Sequence, residues 1–262
     1  HSVQEMLCHR LFGTALGYED INDHQRLRLD PLLAAACGKT APLGEQRVLP
    51  QHRGIALAAP STLNRLELSN NKDTRCHKVP HDPGKVEACL LKMGARCLPK
   101  HTREIVLDLD AMGHRLHGLQ EGRHFNAYYD DYCYLPLYAF VGDFPLWAQL
   151  RTAEHEAAYG AVAALEKILA ALRRRCRRAR IIVRGDSGFG REEIMAWCEG
   201  QLRVVYYCLV LAKNSVLVEK LAPTLADARA RRCLTGAASA RAFTEFEHQT
   251  QTSWSRARRV IG

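Results

Sequence analysis

The sequence predicts an α/β fold, with a mixed sheet, flanking helices and a small helical region at the N-terminus. Two runs rich in β-branched residues, 104–110 and 180–185, are bounded by polar residues or glycine, as buried strands are. Between them, residues 154–178 repeat apolar side chains at spacings of three and four, the period of an amphipathic helix. Strands that alternate with such a helix favour a layered α/β architecture.

The N-terminal part of the chain is predicted to be mainly helical. Residues 1–37 have apolar side chains at helical spacing, whereas residues 38–60 contain glycine, proline and scattered charge without a period. Further helices are predicted over 61–68 and 84–98, with a break at the prolines between them. We therefore expect a helical region with its linker over residues 1–99.

The order of elements is clearer from residue 100 onward. Aromatic-rich runs follow the first strand, and further strands and a helix follow the long helix. The predicted elements are strands 104–110, 123–130 and 132–141, helix 154–178, strand 180–185, helix 190–199 and strand 203–211. The pattern weakens afterwards, with short segments at 215–221 and 241–247. We expect a core over 100–214 and a separate region over 215–262.

Composition and charge narrow the class of protein. The net charge is +9, which favours a polyanionic partner. No apolar run approaches the roughly 18 to 20 residues that a membrane span needs, so no membrane partner is expected. The ten cysteines include no Cys-x-x-Cys pair, and we interpret them as reduced thiols of an intracellular protein. The chain begins His-Ser-Val without a signal pattern, which favours an interior piece of a longer protein.

Carboxylates follow or end both predicted strands, which is the most specific chemical feature of the sequence. Asp108 and Asp110 share one face of a strand because alternate residues point the same way, and Asp186 ends the second run. In α/β folds such strand ends line a crevice, and carboxylate oxygens are ligands for Mg²⁺. The alternative is structural: Asp110 starts a turn, and Asp186 or Ser187 caps the helix that opens near Arg191.

A series of motifs resembles, in order, the bacterial insertion-sequence transposases with a group 1 DDE domain. The motifs are Gly17-Tyr18-Glu19-Asp20-Ile21-Asn22-Asp23-His24, Ser61-Thr62-Leu63-Asn64-Arg65-Leu66-Glu67, Ile105-Val106-Leu107-Asp108-Leu109-Asp110-Ala111, His117-Gly118-x-Gln120-Glu121-Gly122, Tyr132-Cys133-Tyr134-Leu135-Pro136-Leu137-Tyr138, Arg184-Gly185-Asp186-Ser187-Gly188-Phe189, Glu193-x-Met195-Ala196-Trp197-Cys198-Glu199 and Leu211-Ala212-Lys213-Asn214. The resemblance implies a ribonuclease-H-like core that cleaves and transfers DNA strands at transposon ends, with two Mg²⁺ (or Mn²⁺) ions held by Asp, Asp and Glu.

The resemblance also implies roles for individual residues. Asp110 is expected to be the first acid, with Asp108 the less favoured choice, and Asp186 the second; all three are candidate metal ligands. The family usually has Asp-Ala-Thr at the first site, whereas this chain has methionine at position 112. The third acid of the family lies well beyond the segment 253–260, so we expect a C-terminally truncated chain that lacks it and does not transpose.

The resemblance further implies partners and location. It predicts double-stranded DNA as partner, both the terminal inverted repeats of the transposon and the target, and a homodimer in the active assembly. Residues 1–99 are expected to contact DNA, and the protein is expected in the bacterial cytoplasm, associated with the nucleoid.

Two groups of arginines are candidate DNA contacts. The first crowds the end of the long predicted helix, and the second follows Trp254. Their members are Arg173, Arg174, Arg175, Arg177, Arg178 and Arg180, and then Arg256, Arg258 and Arg259. The structural alternative for the first group is stabilisation of the helix end through its dipole. For the second group it is a frayed chain end.

Two other functions remain as alternatives. Asp108-Leu109-Asp110 after a strand imitates the nucleophile motif of haloacid-dehalogenase-type phosphatases, although Gly190 and Arg191 stand where that class needs a further Asp. A transposase remnant that binds DNA without catalysis is the second alternative. A zinc site formed by the nearby histidines, His114, His117 and His124, is disfavoured because their spacing fits no ligand pair on a helix.

Overall fold

A computed structural model describes residues 1–67, 82–203 and 205–262. The chain divides into two compact units, His1–Pro83 and Gly84–Gly262. This division lies earlier than the boundary expected near residue 99. The helix around residue 94 packs within the second unit: a Cβ added to Gly94 would lie 2.5 Å from Leu146 Cδ2.

The first unit is a group of short helices. They are α1 (Val3–Ala15), α2 (His24–Leu27), α3 (Pro31–Ala36) and α4 (Pro60–Glu67), with 3-10 turns at Ile21–Asp23 and Pro50–His52. Ser2 and Glu5 form a reciprocal capping box at the start of α1, and Asp30 accepts from the first amides of α3. The apolar centre contains Leu33 and Leu57. The last residue of the predicted helix 61–68 lies outside the described residues.

The second unit is built around a five-stranded sheet. Its helices are α5 (Pro83–Cys97), α6 (Ala161–Arg175), α7 (Glu192–Glu199) and α8 (Ser215–Thr235). Its strands are β1 (Glu104–Ala111), β2 (His114–Arg115), β3 (His124–Asn126), β4 (Asp131–Tyr134), β5 (Leu137–Val141), β6 (Phe144–Gln149), β7 (Arg180–Gly185), β8 (Val205–Leu209), β9 (Glu245–His248) and β10 (Arg258–Ile261). None of the helices in the described ranges is long and apolar enough to span a membrane.

The sheet order confirms the predicted fold class. The strands lie in the order β6-β5-β1-β7-β8. β5 and β6 pair antiparallel, β5 pairs antiparallel with β1, and β1, β7 and β8 run parallel. This mixed sheet with flanking helices is the ribonuclease-H-like arrangement that the resemblance implied. Smaller sheets are formed by β2-β4-β3 and by β10-β9.

The two faces of the central sheet differ in burial. Along β1 the burial alternates, so Ile105, Leu107 and Leu109 are buried in the main core while Asp108 and Asp110 point to the more exposed face. The core continues into α6 through Leu165 and its buried neighbours. The acids therefore stand on the face that the hydrophobic core does not use.

Several predicted boundaries differ from the observed ones for local reasons. The long helix begins at Ala161, not at 154, because its first cap is Gly160 in the left-handed conformation, with φ of 74°. The run 132–141 is split into β4 and β5 by Leu135-Pro136, which lie between the two strands. The strand predicted over 123–130 is observed only as β3, and β6 was not predicted.

Candidate active site at the ends of two parallel strands

The first two candidate acids lie side by side at one edge of the sheet. In the parallel pairing of β1 with β7, Leu109 is the partner of Gly185. Asp110 follows Leu109 and Asp186 follows Gly185, so each acid stands one residue beyond the same pair. Adjacent strands are about 4.8 Å apart, which brings the two backbones within reach of one cation.

Asp108 is already neutralised by a neighbouring arginine. Its register partner is Arg184, whose Nε donates to Oδ1 at 2.5 Å and whose Nη2 donates to Oδ2 at 2.9 Å. This hydrogen-bonded pair raises the pKa of Arg184. In the described part of the chain, the side chain of Asp110 has neither a hydrogen bond nor an ion pair. The oxygens of Asp110 are thus open to a ligand, whereas those of Asp108 are occupied.

Asp186 organises a turn and does not cap a helix. Its Oδ1 accepts from the backbone N–H of Gly188 at 2.9 Å. The following helix α7 begins at Glu192 after Arg191, with no side-chain capping hydrogen bond. Asp186 is exposed, so its second oxygen faces solvent at the end of β7. The capping role that was the structural alternative is therefore absent for this residue.

Gly188 allows this turn to pack closely. A Cβ at this position would lie 2.8 Å from the Cβ of Ala157 and 3.0 Å from Oδ1 of Asp186. Real Cβ atoms do not approach carbon so closely, so any side chain here would displace the turn that holds Asp186. A second link to the same loop is Arg191, whose Nε donates to Glu156 at 2.9 Å.

A buried arginine holds the loop that packs against Gly188. Arg151 is only 6% exposed. Its Nε donates to the carbonyl of Leu135 at 2.9 Å, and its Nη1 donates to the carbonyls of Ala157 and Tyr159. These bonds use a guanidinium to tie the end of β4 to the segment before α6. Sequence reasoning missed Arg151, because a lone arginine gives no signal of burial.

The neighbourhood of Asp110 is aromatic. Its antiparallel partner in β5 is Tyr138, whose hydroxyl lies 3.2 Å from Nε2 of His114. Met112, at the position where the family usually has a hydroxyl, is 51% exposed. Among the described residues no three His, Cys, Asp or Glu side chains are grouped as a metal site, and this includes the histidines around His114.

The acidic residues of α7 are engaged with a C-terminal arginine. Arg258 donates from Nη1 to Glu192 at 2.5 Å and from Nε to Glu199 at 2.8 Å, and its side chain is only 4% exposed. The hydrogen bond from Arg258 holds the pKa of Glu199 at about 2, against the effect of desolvation. It also lowers the pKa of Glu192. Glu192 is therefore part of an ion-pair cluster, and Glu193 beside it is exposed.

The other arginines of the second predicted DNA-contacting group also have carboxylate partners. Arg256 lies 2.6 Å from Glu199, and Arg259 lies 2.5 Å from Glu245. Both of these arginine side chains are more than half exposed, unlike Arg258. We therefore assign Arg258 to the internal charge cluster rather than to a DNA-contacting surface, because both sides of its guanidinium are already bound.

The first group of arginines surrounds the end of α6. Arg175 donates to the carbonyls of Leu98 and Arg96, at 3.0 and 3.2 Å. Arg174 donates to the carbonyl of Ala170 within its own helix at 3.2 Å. Arg177 and Arg178 are exposed. The group thus combines residues that stabilise the helix end with residues whose charges face solvent.

Comparison with known proteins identifies the family. The family model of the transposase DDE domain, group 1, matches residues 1–262, so the chain belongs to this family. No curated protein matches the chain. A solved structure titled "Crystal structure of the Mos1 Strand Transfer Complex" is 13% identical, covers 93% of this chain and 86% of the other, and has a TM-score of 0.23. That score is too low to indicate a shared fold.

Proposed function

We propose that the protein is an insertion-sequence transposase whose DNA-cleaving chemistry takes place at Asp110 and Asp186. The observation that carries the proposal is the position of these acids, one residue beyond the paired residues Leu109 and Gly185. Membership of the DDE transposase family supplies the reaction class, the cleavage and joining of DNA strands. The DNA partners would be the terminal inverted repeats and the target, and a homodimer would hold the paired ends.

The free carboxylate oxygens at this edge of the sheet are suitable ligands for a divalent cation such as Mg²⁺ or Mn²⁺. Asp110 has unengaged oxygens, and Asp186 keeps one oxygen outside its turn. Mg²⁺ or Mn²⁺ accepts carboxylate oxygens together with waters and substrate phosphate oxygens. When bound, such an ion polarises a phosphate oxygen and activates the attacking oxygen. The backbone N–H of Gly188 fixes one oxygen of Asp186. Arg184 binds both oxygens of Asp108, so this carboxylate does not compete with Asp110 for the cation.

We further propose that these residues form an incomplete active site, so that this chain alone does not carry out strand transfer. The resemblance implies a third acid, and in residues 1–67, 82–203 and 205–262 no third carboxylate joins the pair. Glu192 is unsuited to that role because Arg258 binds it. The second candidate function, a DNA-binding transposase remnant without catalysis, is favoured by this same observation.

A DNA-binding assay with divalent cations tests the proposed site. The full chain is mixed with duplexes taken from DNA flanking its coding sequence, in Mg²⁺, in Ca²⁺ or in EDTA. We expect a cation-dependent increase in affinity that Asp110→Asn and Asp186→Asn abolish and that Asp108→Asn retains. Equal affinity in EDTA and in Mg²⁺ would overturn the active-site assignment.

The products of the same reactions separate the remaining functions. Strand-transfer products from this chain alone would contradict the proposed incomplete site. DNA binding without any effect of cations would support the non-catalytic remnant. Hydrolysis of a generic phosphomonoester that depends on Asp108 would support the phosphatase alternative.

A further inference from the structure

A basic depression lies at the opposite end of β7 from the acids. It has a volume of about 280 Å³ and is lined by Arg173, Arg178, Ala179, Arg180, Arg203 and Tyr206. The lining comes from the end of α6, the start of β7 and the residues on either side of the start of β8. Four guanidinium groups therefore surround one concave surface, three from residues 173–180 and the fourth from Arg203.

Most of the charge in this depression is not compensated. Arg180 lies 3.5 Å from Glu104. Within the described part of the chain, Arg173, Arg178 and Arg203 have no carboxylate partner. A concentration of unpaired like charges is unfavourable without a counter-ion, because the charges repel one another. An anion in the depression would relieve this repulsion.

Three of the four guanidinium groups are held in place by contacts within the protein. Arg173 donates to the carbonyl of Ala179 at 2.5 Å, and Arg203 donates to the carbonyl of Arg177. The guanidinium of Arg180 lies over the ring of Tyr206, 4.6 Å from its centroid. Burial lowers the pKa of Arg173, and the charge of Arg203 lowers it further. Pre-positioned arginines lose little side-chain entropy when they bind an oxyanion.

We propose that this depression binds a backbone phosphate of duplex DNA, as a site separate from the catalytic acids. Planar guanidinium groups match the oxygens of a phosphate, and Tyr206 supplies a surface for the adjacent sugar. The depression is shallow and lined mainly by guanidinium groups, which suits a single phosphate group on the surface of a duplex. The proposal rests on the proposed function only in taking DNA as the partner.

The position in the sheet separates this site from the reacting phosphate. Arg180 begins β7 and Asp186 follows its last residue. At about 3.3 Å per residue, the six steps between them span roughly 20 Å. A duplex rises about 3.4 Å per base pair, so the two sites would contact phosphates about six base pairs apart or more. Arg180 and Arg184 are on one face of β7, the face of Asp108, so one duplex could run along both sites.

The test compares two arginines of the same region in the full chain. Arg178→Gln removes a charge that lines the depression, whereas Arg174→Gln removes an exposed charge from α6 outside it. Affinity for a labelled 20-base-pair duplex is measured from 50 to 300 mM salt. We expect Arg178→Gln to weaken binding about 5- to 10-fold and to lower the salt slope by about one. Arg174→Gln is expected to change affinity less than two-fold.

One charge-reversal variant and one competing ligand complete the test. Arg178→Glu should weaken duplex binding further than Arg178→Gln does. Inorganic phosphate at millimolar concentration should displace the duplex from the wild-type protein more effectively than from Arg178→Gln. If Arg174→Gln and Arg178→Gln lose the same amount of affinity for the duplex, the proposed phosphate site is overturned. Binding would then depend on the overall positive charge of this surface. Tighter binding of an RNA of the same length would overturn the DNA assignment.

The failure of this proposal can be distinguished from failure of the proposed active site. Cation binding at Asp110 and Asp186 is measured on the same preparations. If Arg178→Gln has no effect while cation binding persists, the pocket is refuted and the active site stands. If the acids bind no cation while Arg178→Gln weakens DNA binding, the pocket stands and the active site is refuted.

Discussion

Asp110 and Asp186 each lie one residue beyond Leu109 and Gly185, which are partners in the parallel pairing of β1 with β7. The register of this pairing thereby brings two acids that are far apart in sequence to one edge of the sheet. Side-chain contacts then distinguish the acids, because Asp108 is bound by Arg184 and Asp110 is not. The candidate site therefore depends on strand register as much as on residue type.

The pair of Asp108 and Arg184 should tune the affinity of the site for cations. Arg184→Gln removes a positive charge and releases the carboxylate of Asp108 beside Asp110, so we expect Mn²⁺ to bind about 3- to 10-fold more tightly. Isothermal titration measures the change. The control is the double variant Asp108→Asn/Arg184→Gln, which should return to the wild-type affinity. A weaker affinity in Arg184→Gln would contradict the assigned role of this pair.

Gly188 should be required for the turn that positions Asp186. Gly188→Ala places a Cβ 2.8 Å from that of Ala157, so we expect a loss of about 1–3 kcal/mol in the free energy of unfolding and weaker Mn²⁺ binding. Urea denaturation and titration measure these effects. Ala157→Gly removes the closer of the two contacts, so the double variant should regain part of the stability and part of the Mn²⁺ affinity. If Gly188→Ala alone behaves as the wild type, the close packing of this turn has no functional role.

Acid should release the C-terminal hairpin, formed by the antiparallel strands β9 and β10, from α7. The pKa of Glu199 is about 2, below its ordinary value of 4.5, because Arg258 donates hydrogen bonds to the ionised form. The resulting stabilisation is complete above about pH 4.5 and is lost as the pH falls towards 2. Hydrogen exchange of β10 between pH 5 and pH 2.5 should show increasing local opening.

A matched variant isolates the contribution of Glu199. Glu199→Gln keeps the shape of the side chain and removes its charge, and we expect it to destabilise docking of β10 by about 1–3 kcal/mol at pH 7. It should also flatten the pH dependence of exchange. An unchanged pH profile in Glu199→Gln would show that another group controls the hairpin.

The first unit should lose stability under mild acid through His9. This ring is fully buried, and neither of its nitrogens has a hydrogen-bond partner in the described residues. Burial lowers the pKa of His9 to about 4, and the neighbouring His24, 4.4 Å away between ring centroids, contributes to the shift. The neutral ring is favoured, so its stabilisation is complete above about pH 6.5 and is lost as the pH falls towards 4.

Exchange of the α1 amides in the full chain measures this effect. Protection of α1 should fall between pH 7 and pH 4.5 in the wild type, and the fall should be smaller in His9→Leu. His101→Leu, at an exposed position in the second unit, is the control. Equal pH dependence in His9→Leu and the wild type would assign the effect to other groups.

Local sequence signals predicted the elements that carry the acids. The strands at 104–110 and 180–185 are dense in β-branched residues, and strand ends in α/β folds carry polar side chains. The 21-residue α8 was predicted only in part, as 215–221, because its apolar residues form no clear stripe and Pro223 interrupts the pattern. Because the apolar residues show no clear helical period, most of this long helix could not be predicted from the sequence.

Ion pairs between residues that are far apart in the sequence could not be predicted. The ion pair of Asp108 with Arg184 depends on strand register, which no single segment encodes. Arg258, predicted as a DNA contact, is buried against two glutamates some 60 residues earlier in the chain. A basic residue near a chain end gives the same local signal whether it is exposed or buried, so only the folded structure distinguishes the two.

Electron paramagnetic resonance of Mn²⁺ titrated into the full chain and three matched variants tests whether Asp110 and Asp186 hold one cation between them. We predict that Asp110→Asn and Asp186→Asn each weaken Mn²⁺ binding at least tenfold, whereas the charge-balanced double variant Asp108→Asn/Arg184→Gln leaves it within about twofold of the wild type. Retention of wild-type Mn²⁺ binding in both Asp110→Asn and Asp186→Asn would contradict a shared cation site at the ends of β1 and β7.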